Sequence, residues 1–168
     1  MRFDPELTRK VRDLIISRGS LEPPNEALEL DGMGHEGTPE ANAVVRRVAP
    51  MAEALYLIMS ADEVCRESER VALRGAIRTV TDGEAGDASI DALVDGFGRA
   101  LAEQGLEARL DAVAGRLAAD RTDSAVVLEL AAAVIISDGE VHPAEREALE
   151  QLAERTGVDP DQALALLG

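Results

Sequence analysis

Apolar residues along this chain recur three and four positions apart and nowhere in strict alternation, the spacing of helices that bury one face. The first such stripe, Leu7, Val11, Leu14 and Ile15, predicts a helix from Pro5 to about Arg18, with Asp4 as N-cap and Gly19 as its stop. Residues 20–38, "SLEPPNEALELDGMGHEGT", hold two prolines and several glycines and predict an irregular connection. Thr38-Pro39 then opens a long helix with Val44, Val48, Met51, Leu55 and Met59 inward, ending near Asp62. Pro50 lies inside it and cannot donate to the Arg46 carbonyl, so a kink or break is expected there.

The pattern continues to the C terminus. Leu73, Ala76, Ile77 and Val80 mark a helix from about Glu67 to Thr81, and Ile90, Leu93, Val94, Phe97 and Leu101 another, stopped by Gly105. "LEARLDAVAGRLAADR" follows with Leu106, Leu110, Val113 and Leu117 inward. After Thr122, expected as a cap, "AVVLELAAAVII" is apolar on nearly every side, which predicts the central helix of a bundle. A helix from Pro143 to about Thr156, with Gly157 as its C-cap, and a short one opened by Asp159-Pro160 complete the chain. The reading is all-α: a bundle of seven or eight helices with residues 1–38 as an N-terminal helix and loop, residues 39–168 as the helical domain, and the whole as one globular unit.

Two segments repeat. "SADEVCRESERVAL" from Ser60 and "ISDGEVHPAEREAL" from Ile136 align without a gap, matching Asp62 with Asp138, Glu69 with Glu145, Arg70 with Arg146 and Leu73 with Leu149. Cys65 falls opposite Val141, and both read as small apolar plugs. Each copy is an apolar helix, an Asp at its end, a tight turn and a helix opened by Glu, so two hairpins related by a pseudo-two-fold axis are expected.

The turns carry the candidate chemistry. His142, Pro143, Ala144 and Glu145 read as N-cap, N1, N2 and N3, with Glu145 reaching back to the His142 N–H as half of a capping box. Capping accounts for both glutamates. It accounts less well for Asp62 and Asp138, which stand at helix C-termini where the dipole opposes negative charge by up to about 1 kcal/mol. Two answers stay open: the Asp carboxylate accepts from the N–H groups that open the next helix, or a cation lies between each Asp and the Glu seven residues on. Ca²⁺ takes several hard oxygens, which Asp138, Glu140, Glu145 and turn carbonyls offer.

Composition narrows the functions. The net charge of −16 opposes nucleic acid and anionic membrane surfaces and favours cations or a protein partner with a basic surface. A lone cysteine excludes an intrachain disulfide, no apolar run is long enough to span a bilayer, and the charged N-terminus has no signal-peptide core; a soluble cytoplasmic protein is expected. "DGEAGDASID" from Asp82 is no EF-hand loop, because its twelfth position is Leu93. Asp31, His35 and Glu36 lack the second His or Cys of a zinc site, and no nucleophile elbow, Walker loop or dinucleotide fingerprint occurs. Catalysis has no motif behind it.

"AAAVIISDGEVHPAEREALEQLAERTGV", Ala131 to Val158, resembles the C-terminal hairpin of the tellurite-resistance TerB-like family, whose members include a domain of some J-domain co-chaperones. "LIMSADEVCRESERVALRGAIRTV", from Leu57, resembles that family's degenerate first copy. The resemblance runs from about Val44 to Gly168. It implies an all-helical, non-enzymatic binding or scaffold module linked to stress response, with divalent cations such as Ca²⁺ held by the acidic turns. Carried over position by position, the acidic residues are Asp62, Glu69, Asp138, Glu140 and Glu145, with Gly139 in the second turn. The first copy departs from the pattern, with Glu63 opposite Gly139 and Val64 opposite Glu140. The alternatives are a protein-interaction scaffold whose acidic turns are only caps, and a metal-dependent hydrolase, which would require the two turns to converge.

Overall fold

The computed structural model of the chain describes residues 39–62, 67–81, 83, 85–118, 121–137 and 141–168. These form helices α1 (Pro39–Met59), α2 (Glu67–Val80), α3 (Asp87–Gln104), α4 (Leu106–Leu117), α5 (Arg121–Ser137), α6 (Pro143–Thr156) and α7 (Pro160–Ala165). No strand occurs among the described residues. The helix expected at Pro5 and the 20–38 connection lie outside them.

The hub of the bundle is α1, which packs on α2, α3, α4, α5 and α6. Every residue from Met51 to Ser60 is buried, with Leu57 and Ile58 among the largest fully enclosed side chains. This corrects the expectation that the helix holding Ala125 to Ile136 is central. That helix, α5, is buried along most of its length and packs on α1, α4, α6 and α7, one helix fewer than α1. The prediction rested on uniform hydrophobicity, yet α1 is buried throughout from Met51 to Met59, a stretch whose apolar character is interrupted by Glu53. The expected break at Pro50 also does not occur: α1 runs unbroken from Pro39 to Met59. Pro50 removes one backbone hydrogen bond, and the helix on its C-terminal side is fixed by burial on all faces, where each large apolar side chain is worth about 2–5 kcal/mol against truncation to Ala.

The predicted stops and starts hold where glycine or proline sets them. Gly105 adopts φ 81° between α3 and α4, and Gly157 closes α6 at φ 74°, a left-handed conformation that costs other residues a steric clash. Asp159 caps α7, its carboxylate accepting from the Asp161 N–H at 3.0 Å. By contrast, α5 starts at Arg121, one residue before the expected Thr122 cap, and α4 ends at Leu117. Ser124 Oγ donates to the Leu117 carbonyl at 3.1 Å and so ties the two helices together. Tyr56 of α1 and Phe97 of α3 pack with ring centroids 5.9 Å apart, tilted by 47°.

The two hairpins of the repeat are α1–α2 and α5–α6, and α1 packs on both helices of the second hairpin. On the outside, α2 and α3 run antiparallel under a ladder of ion pairs: Arg70 with Asp95 at 2.6 Å, Arg74 with Asp91 at 2.6 Å, and Arg78 with Asp87. Each rung steps four residues up α2 and four down α3, one helical turn at a time. Arg155 of α6 similarly bridges Glu107 and Asp111 of α4.

A candidate acidic site between the two turns

Asp62 follows the end of α1, in a turn closed by Ser60 N–H to Tyr56 carbonyl and Ala61 N–H to Ile58 carbonyl bonds of 3.0 and 3.1 Å. It is partly buried. Glu69 lies in the first turn of α2 and is only 5 % exposed. Glu145 occupies N3 of α6, where its Oε2 accepts from the His142 N–H at 3.1 Å while His142 Nδ1 accepts from the Ala144 N–H at 3.4 Å. The capping box read from the sequence is therefore formed, with Pro143 at N1.

Capping does not describe the whole environment of Glu145. Its pKa is raised, first by burial; the His142 N–H bond opposes that shift, while the negative charges of Glu69 and Asp62 add to it, and the charge of His142 again opposes it. Carboxylates from the first turn are thus near enough to Glu145 to be felt across the hairpins. α1 packs on α6, and the charges of Asp62, just after α1, and of Glu69 reach Glu145 in the first turn of α6. Three of the five expected positions, Asp62, Glu69 and Glu145, belong to one electrostatic neighbourhood. Asp138 and Glu140, with Gly139, lie outside the described residues, as does Cys65. Val141, expected as an apolar plug, is 38 % exposed. The position it would staple to, N4 of α6, is Arg146, which offers no apolar partner.

The donors are hard oxygens, suited to Ca²⁺, Mg²⁺ or Mn²⁺ rather than to a thiophilic metal. Ser60 adds a buried hydroxyl that has no hydrogen-bond partner, two residues before Asp62. Among the described residues alone, no three His, Cys, Asp or Glu stand close enough to hold an ion.

A second charged cluster escaped the sequence reading. Glu53 in α1 is fully enclosed, and both its oxygens are used: Oε1 accepts from Arg109 Nε at 2.8 Å and from Arg109 Nη2, and Oε2 accepts from Arg116 Nη2 at 2.8 Å. Arg109 Nη1 also donates to Gln104 Oε1 at 3.1 Å. The available signal was a single carboxylate amid "APMAEALYLIM", because a charge buried on an apolar helix demands a counter-ion.

A family model described as "Tellurite resistance protein TerB" matches residues 42–166. The chain belongs to the TerB family. No curated protein and no solved structure matches it. The matched span takes in α2 to α7 entirely and α1 from its second turn, so both hairpins and both acidic turns belong to the TerB domain. No helix among the described residues is long and apolar enough to cross a membrane.

Proposed function

We propose that this TerB-family domain, residues 39–168, is a non-catalytic binding module whose two turns take up a divalent cation, Ca²⁺ foremost, in the service of a stress response. What supports the proposal is the gathering of carboxylates from the two hairpins, where Glu69 and Asp62 both act on the partly buried Glu145. Like charges gathered from two separate turns repel, and a divalent cation relieves that repulsion as a proton does, with more charge. Asp62, Glu69 and Glu145 would contribute carboxylates, and Asp138 and Glu140 of the second turn would complete the oxygen set. Bound there, the ion would tie the two hairpins together. The net charge of −16 draws cations towards the domain and makes a basic protein surface its natural partner.

Calorimetric titration with Ca²⁺, Mg²⁺ and Mn²⁺, paired with thermal unfolding, tests this. Binding and a higher Tm are expected, both lost in Glu145→Gln and Glu69→Gln. Millimolar cation that neither binds nor shifts the Tm refutes it. One observation favours a second reading, a scaffold whose acidic residues only cap helices: both hydrogen bonds of the His142–Glu145 capping box are formed within the chain. Under that reading Asp138→Asn alters stability by the same amount with and without Ca²⁺.

A further inference from the structure

α5 breaks a rule that the longer outer helices keep. α2, α3, α4 and α6 show solvent charged side chains, among them Glu67, Asp91, Asp111 and Glu147. On α5 the positions left exposed or half-buried are Ala125, Val126, Glu129, Ala133 and Ile136, the last 43 % exposed. At 3.6 residues per turn these five fall within one arc of about 100°, a single face with one charge on it. Every other side chain described on α5 is buried. A helix apolar on all sides needs cover on all sides, and α1, α4, α6 and α7 leave this face partly open. The chain holds a matching stripe. Leu7, Val11, Leu14 and Ile15 recur on one side of residues 5–18, which lie outside the described residues and outside the span of the family match.

We infer that residues 5–18 lie along α5 of the same chain, with Leu7, Val11, Leu14 and Ile15 on Ala125, Val126, Ala133 and Ile136. Length, tether and charge favour this occupant over a second copy or another protein. The face runs about 17 Å along the axis of α5, and a helical stripe from Leu7 to Ile15 covers about 12 Å of it. Residues 19–38 span about 25 Å as a flexible chain and end at Pro39, the first residue of α1, which itself packs on α5. Tethering at that length supplies an effective concentration of about a millimolar. Residues 1–20 hold five basic and three acidic side chains, whereas residues 39–168 hold 12 basic and 25 acidic, so a net-positive segment is drawn to a strongly negative domain. The contact encloses α5 on every side, the place its uniform hydrophobicity predicts. The carboxylates of the acidic turns take no part in it, and it stands independently of the cation reading.

Thermal unfolding of the full chain in the presence of a chelator tests this with Val11→Asp, Ile16→Asp, Ile136→Lys and the Val11→Asp/Ile136→Lys pair. Val11→Asp should lower the Tm by about 5 °C. Ile16→Asp makes the same chemical change on the opposite side of the segment and should leave the Tm unchanged. Ile136→Lys should lower the Tm as well, although the helix dipole favours a cation at that end of α5. The double variant should fall no further than the larger single, because both changes break one contact. A Tm unmoved by Val11→Asp overturns the inference, as do equal falls from Val11→Asp and Ile16→Asp, or fully additive falls in the pair. A Tm of the unmutated chain that rises with protein concentration also overturns it, since a second copy would then occupy the face.

Discussion

Glu53 and Glu145 are both withdrawn from water, and their electrostatic surroundings are opposite. Glu53 is completely enclosed, yet each of its oxygens accepts from a guanidinium, one from Arg109 and the other from Arg116. Glu145 keeps more contact with solvent, but beyond its capping bond it meets the negative charges of Glu69 and Asp62. The first arrangement is a closed account of charge within one fold. The second gathers like charges at a place where two turns meet, a pattern that structure alone does not reward. Burial of a carboxylate therefore says little by itself; the sign of the neighbours decides whether the charge is offset or opposed.

Removing Glu53 should have the largest effect. Glu53→Ala leaves Arg109, 8 % exposed, without its counter-ion, and breaking such a buried pair costs about 3–5 kcal/mol. For a chain of this size that corresponds to a Tm fall of roughly 10 °C, read by calorimetry or urea unfolding. If Glu53→Ala unfolds within about 1 kcal/mol of wild type, the cluster is not the electrostatic keystone of α1 and α4. The double variant Glu53→Leu/Arg109→Leu should recover much of the loss, because apolar groups of similar volume remove both the charge and its need for a partner.

This same residue marks where the sequence stopped being legible. Helix positions followed from periodicity and from local punctuation, since Gly105, Gly157, Pro143 and Asp159-Pro160 act through backbone geometry that needs no distant partner. The capping box at His142 was readable for the same reason. The hub was not: α1 and α5 differ by which helices surround them, a long-range property, and Glu53 masked the apolar character of α1. Its partners Arg109 and Arg116 stand more than fifty residues away, so no spacing rule links them. In the acidic site, the repeat pointed to Asp62, Glu69 and Glu145 one turn at a time. Their meeting across the hairpins came from the packing of α1 on α6.

The opposite cluster should respond to cations where the Glu53 cluster does not. With free Ca²⁺ at a hundred times its Kd, mass action stabilises the fold by about 2.7 kcal/mol, and thermal unfolding across a Ca²⁺ series reads this directly. Glu145→Gln should flatten the series, whereas Arg116→Gln should lower the Tm in parallel at every Ca²⁺ concentration. A parallel shift in both variants would erase the distinction between the two clusters.

Protons sharpen the comparison further. The folded state raises the pKa of Glu145 above its ordinary 4.5, so its carboxylate binds a proton more tightly folded than unfolded. Its contribution to stability is present below the unfolded value and is lost as pH rises through the higher folded one. Glu145→Gln should accordingly gain on wild type at neutral pH and lose that advantage as pH falls through the region just above 4.5. Because the group is far from fully buried, solvent screening holds the gain below about 1 kcal/mol. Melting curves of both proteins from neutral to acid, in the presence of a chelator, measure it; a difference independent of pH would place the effect in capping alone.

The smallest effects belong to the ladder between α2 and α3, and they are expected to be unequal. Exposed ion pairs contribute about 0.2–1 kcal/mol each and weaken with salt. Arg74 stands between two acids, with Nη1 3.4 Å from Glu67 and Nε 2.6 Å from Asp91, the latter a charge contact without hydrogen-bond alignment. Arg74→Ala removes the shared cation and leaves both acids facing one another on a chain already at −16. Asp91→Asn leaves Arg74 its second partner. The arginine substitution should therefore cost more, although both delete the same rung, and the gap should close at about 1 M NaCl, where the Debye length falls to about 3 Å. Equal costs in low salt would show that Glu67 contributes nothing and that the rung acts as an isolated pair.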